Sequence, residues 1–176
     1  LVWSQVNQFG QAMASRLHAA DKVGVIWGEL YSGYWQGANN TNPWWHNMVA
    51  LLTEVASADI ASPVQQHRTS DRRTARRRNR QIVLAAPTDT QYRMNYPRPW
   101  MGGTWTLSDV VDYSLLSTQG LLESVANNRV SLKRNFYQMN RHTVERFSDG
   151  NPFAFLIPPE QRDPTAAITL VRLLQA

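Results

Sequence analysis

The chain contains no cysteine. That excludes disulfide bonds, a thiol nucleophile and zinc–cysteine sites. Long apolar runs are missing too. No stretch approaches the roughly 20 apolar residues that a helix needs to cross a bilayer, so no membrane span is expected. The four histidines, His18, His46, His67 and His142, fall into neither an HxxE nor an HExxH pattern. His46 flanks an aromatic loop, and the other three read as surface residues. Neither a nucleophile-elbow motif nor a glycine-rich phosphate loop is present. A leader peptide and an initiator methionine are absent as well. Both ends fall inside helical patterns, so a segment cut from a longer protein is expected, and the missing leader says nothing about export.

What is present describes a folded chain. Its 176 residues are enough for one ordinary domain with a real core, and a 43% apolar and 10% aromatic content argues against disorder. The net charge of +5 invites nucleic acid as a partner. That charge is concentrated, however. Seven arginines lie between Arg68 and Arg80 in QHRTSDRRTARRRNRQ, and the remainder is close to neutral. The cluster has no interleaved aromatic groups, so a solvated loop, or one pairing with acids elsewhere, is the better reading. No nucleic-acid partner is expected.

Residues 3–19 place Trp3, Val6, Phe9, Met13 and Leu17 at helical steps. Residues 23–27 (VGVIW) form a short apolar run that predicts a buried strand. A loop over 28–46 comes next, rich in Gly, Asn and aromatics, and long ordered loops are often functional. The apolar run 48–56 (MVALLTEVA) fits helix or strand by periodicity, and its neighbours favour a strand. Residues 57–98 read as mostly irregular, with one strand candidate at 81–85. Ser108 predicts the cap of a helix reaching Asn127, with Asp109 in its first turn. A second helix is expected over 130–147, a strand over 153–157 (FAFLI), and a last helix opened by Asp163 and Pro164.

Three candidates for chemistry stand out. Glu54 is the only charged residue between His46 and Asp59. A carboxylate in an apolar strand costs several kcal/mol unless it is paired, hydrated or at an opening. It reads either as a strand-end glutamate bonded to an arginine or backbone amide, or as a general base facing a cleft. Tyr31 and Tyr34 could place a phenol over a ligand, with Asn39 and Asn40 nearby for polar groups, or could simply pack the loop. Glu29 comes just after a strand end, where α/β sheets place ligands, although a surface glutamate is the more common outcome.

The segments NNTNPWWHNMVALLTEVASADIASPV, YRMNYPRPWMGGTWTLSDVVDYSLL and FAFLIPPEQRDPTAA occur in that order. Together they resemble large bacterial zinc carboxypeptidase-like proteins of the carboxypeptidase A class, over nearly the whole chain. The resemblance implies an α/β fold: a partial mixed sheet with flanking helices over 1–147, carrying an inserted basic loop region at 57–98. The start of an additional α/β unit is then implied over 151–176. It implies that Glu54 takes a proton from water and passes it to a leaving amine, and that Tyr31 or Tyr34 binds the substrate. Zinc is the implied cofactor, with its ligands upstream of this segment. The rest of its own chain and a peptide or amide substrate are the implied partners, outside the cell or in the periplasm. A non-catalytic peptide- or glycan-binding module on the same fold is the alternative.

Overall fold

The computed structural model describes residues 1–29, 35, 37, 39–58, 62–67, 83–85, 90–148, 152 and 154–175. It is mixed α/β. Helix α1 is Val2–Ala19, α2 Leu107–Asn127, α3 Arg129–Glu145 and α4 Pro164–Gln175; the strands are β1 Val64–His67, β2 Val83–Ala85 and β3 Gly103–Trp105. The chain divides into two compact units, Leu1–Met139 and Asn140–Ala176, the division falling within α3.

The first unit is organised by α1 against α2. The buried stripe of α1 is Gln5, Phe9, Met13, Ala14 and Leu17, most of it stepping one turn at a time at i, i+4. Trp3, expected inward, is 59% exposed instead. The helices run antiparallel, since Arg16 bonds Gln119 (3.2 Å) while Lys22 pairs with Asp112 (3.5 Å). They approach closely at Gly120, which is buried. A Cβ there would lie 2.9 Å from the Ala12 carbonyl oxygen, 2.9 Å from Arg16 Cβ and 3.1 Å from Met13 Cα. Only a residue without a side chain lets the two backbones meet so closely.

Helix α2 starts slightly earlier than the sequence predicts. Its cap is Thr106 rather than Ser108, in extended backbone, with Thr106 Oγ1 accepting from Asp109 N (3.2 Å) and Asp109 Oδ2 accepting from Thr106 N (2.8 Å). This reciprocal box satisfies two backbone donors that Ser108 alone cannot reach. The apolar residues of α2 split between two sides. Gly120 and its neighbours meet α1, while Val111, Leu115 and Leu122 are exposed.

The sheet has three strands in the order β2-β1-β3, parallel between β1 and β2 and antiparallel between β1 and β3. The strand expected at 81–85 is present as β2. The strands expected at 23–27 and 48–56 are not formed: both stretches are irregular, and β1 takes its partners from 83–85 and 103–105 instead. An aromatic ladder joins the sheet to α2. Trp100 meets Trp105 edge-on at 5.9 Å, Trp105 meets Tyr113 at 5.0 Å, and Trp100 Nε1 donates to Gln66 Oε1 at 2.6 Å. Tyr113 Oη then donates to Val23 O at 2.8 Å. Gly24, at φ +77°, lies so close to Trp100 that a Cβ on it would sit 2.9 Å from Trp100 Cβ.

In the second unit, Asp163 Oδ1 accepts from Ala166 N (3.0 Å) and caps α4, as the Asp-Pro pair predicts. The described residues of 153–157 form no strand. Phe155 instead meets Phe147 edge-on at 6.2 Å. Neither α3 nor α4 contains a buried residue.

Gly120→Val should destabilise the chain by about 1–3 kcal/mol despite the better backbone propensity of valine over glycine. Urea unfolding checks this; an unchanged or raised midpoint would mean the helices do not touch there.

Candidate functional site

Residues 48–56, which carry Glu54, come directly after a 3-10 turn at Asn42–His46. Pro43 opens that turn, and Asn47 closes it in the left-handed region at φ 57°, where asparagine is among the better-tolerated residues. Met48 N then donates back to Pro43 O (3.0 Å), which directs the chain away from the turn. Two indoles hold the residues beyond it. Trp44 Nε1 donates to Ala50 O and Trp105 Nε1 donates to Ala56 O, each at 2.9 Å.

Between these two clips the segment lies along the helix pair. Leu51, Thr53 and Val55 line an open groove of ≈570 Å³ with Phe9 and Met13 of α1 and Leu121 of α2. Leu52 and Glu54 are exposed. The strand favoured for this run by its neighbours is thus replaced by one-sided contact with a helix pair, with no sheet ladder. The groove is chemically quiet. Ser114 and Thr118 on its wall turn their hydroxyls back onto the carbonyls of Val110 (2.7 Å) and Ser114 (2.8 Å).

Glu54 is thus solvent-exposed rather than buried in a sheet. Its side chain has no hydrogen-bond or ion-pair partner among the described residues. The pairing with an arginine that sequence allows is not made there. Tyr31 and Tyr34, the two candidates for a substrate-binding phenol, lie outside the described residues, as does the arginine cluster 68–80. Asn39 is exposed and Asn40 buried. Glu29 Oε1 accepts from Asn95 Nδ2 (3.2 Å), which makes it part of the contact between its own stretch and a distant one. His46 Nδ1 lies 3.0 Å from Asn42 O and stitches the 3-10 turn. Among the described residues, no three His, Cys, Asp or Glu side chains converge on a possible metal position. The described side chains therefore do not fit a zinc site.

His18 is the titratable group that sequence reading misplaced. It is half-buried at the end of α1, with Nε2 buried and unpartnered. Its ring meets Trp27 edge-on at 5.9 Å. Burial, and then the nearby Arg98 guanidinium, hold its pKa below the ordinary value of 6.5. One sequence signal could have found it: His18 falls four residues after Ala14, on the edge of the buried stripe. Burial also raises the pKa of Tyr113, while the Val23 N–H that donates to its hydroxyl oxygen (3.2 Å) opposes that effect.

No protein-family model matches this chain, and neither the curated proteins nor the solved structures contain a significant match to it.

The two indole clips generate a direct expectation. Trp44→Phe and Trp105→Phe each remove one donor while keeping an aromatic ring, and each should cost roughly 0.5–1.5 kcal/mol. Denaturant unfolding measures that loss. Equal stability of both variants to the parent would mean the carbonyls of Ala50 and Ala56 are not held.

Proposed function

We propose that this chain is part of a zinc-dependent, carboxypeptidase-like peptide hydrolase in which Glu54 is the general base and then the general acid. The observation that carries the reading is the state of Glu54. It is the lone acid of an apolar run, open to solvent, unpartnered among the described residues, on a segment pinned at Ala50 and Ala56 by two indoles. A general base must be free to accept a proton and must be held in place while it does so.

The ordered segment resemblance supports the same reading. Zinc would be held by side chains upstream of this segment, and it would supply polarisation of the scissile carbonyl and acidification of water. Glu54 would accept a proton from the attacking water at its carboxylate and return it to the departing amine. Tyr31 or Tyr34 would bond the substrate. A peptide or amide outside the cell or in the periplasm is the substrate class.

The test uses the protein that carries this chain together with the implied zinc ligands. Glu54→Gln should retain zinc and peptide binding while hydrolysis falls by about a thousandfold or more. Unchanged turnover would sink the assignment. Peptide binding without turnover in the unmutated protein would point to a non-catalytic binding module instead.

A further inference from the structure

The end of α1 is covered by two stretches that hold each other. Gly24 N donates to Arg98 O (2.7 Å), Trp27 N donates to Asn95 O (3.2 Å), and Asn95 Nδ2 donates to Trp27 O (2.9 Å). Arg98 anchors this pair to the helix, its Nη1 donating to His18 O (3.5 Å) and to Asp21 Oδ1 (3.2 Å). His18 lies beneath, its ring against Trp27 and its Nε2 sealed from water without a partner.

We propose that His18 is a pH-sensitive latch: its neutral ring lets residues 24–29 and 95–98 close over the end of α1, and protonation opens them. A neutral imidazole can leave one nitrogen dry at moderate cost. An imidazolium there would bury an N–H and a positive charge together, next to the Arg98 cation, which costs far more.

The surrounding charges are already engaged. Asp21 pairs with Arg98, Lys22 with Asp112 (3.5 Å), Glu29 with Asn95 (3.2 Å) and Arg16 with Gln119 (3.2 Å). Asp109 closes the cap of α2, Arg93 lies over Tyr96 at 5.7 Å, and the Tyr113 hydroxyl bonds Val23. None of these acids pairs with His18 among the described residues. The helix C-terminus favours a cation weakly, but it faces Arg98 as well.

The direction comes from linkage. The closed state holds the His18 pKa below its open value, so closure is fully supported above about pH 6.5 and is lost as pH falls through the closed-state pKa. The device is independent of the role given to Glu54, and its test needs no catalysis.

Amide exchange at Gly24 and Trp27, expressed as protection relative to the free chain, reads the latch. Protection at both should fall together by about threefold or more between about pH 7.5 and about pH 5. His18→Gln should flatten that dependence. The ring proton of His18 in the unmutated chain should titrate below the midpoint of a free histidine, which holds the idea to account even if the variant does not fold. Protection that ignores pH, a His18→Gln variant that keeps the fall, or a His18 midpoint at or above the free value would overturn the proposal.

Discussion

The contact between α1 and α2 at Gly120 is the constraint on which the rest of the first unit depends. Two backbones meet there at a separation that leaves no room for a methyl group. That approach places Tyr113 where its hydroxyl reaches Val23, and it brings Trp105 against Tyr113. Trp105 in turn holds the Ala56 carbonyl, so the position of the Glu54 segment is set by a helix crossing far downstream of it in the chain. One missing side chain thus propagates through packing and hydrogen bonds to the segment that carries Glu54.

The helices were legible in the sequence because their signals are local. The periodicity of α1 and α2, and the Asp163-Pro164 opening of α4, need no distant partner to be read. The strands were not, because a strand is defined by what it pairs with. The runs at 23–27 and 48–56 have strand-like composition yet find no ladder, while β1 (VQQH) carries no apolar alternation and β3 (GTW) sits in a glycine turn signal. The cap shows the same divide at short range. Ser108 and Thr106 are both good capping residues, and only the reciprocal bond with Asp109 selects between them.

The candidate site was legible in one residue and its surroundings were not. Glu54 stands out in sequence as a lone acid in an apolar run. Its exposure, and the two indoles that fix its segment, come from tertiary contacts that no spacing encodes. His18 is the reverse case: read as a surface residue in sequence, it becomes a half-buried ring with an unpartnered Nε2 where Trp27 and Arg98 pack against it. Both examples place chemical interest where long-range packing decides exposure.

The most direct measurement of the helix contact is the nuclear Overhauser effect between the α-protons of Gly120 and Met13. A strong cross-peak is expected there, with a second from Gly120 to the β-protons of Arg16. Complete assignment of all three residues with neither cross-peak present would contradict the close crossing and everything built upon it.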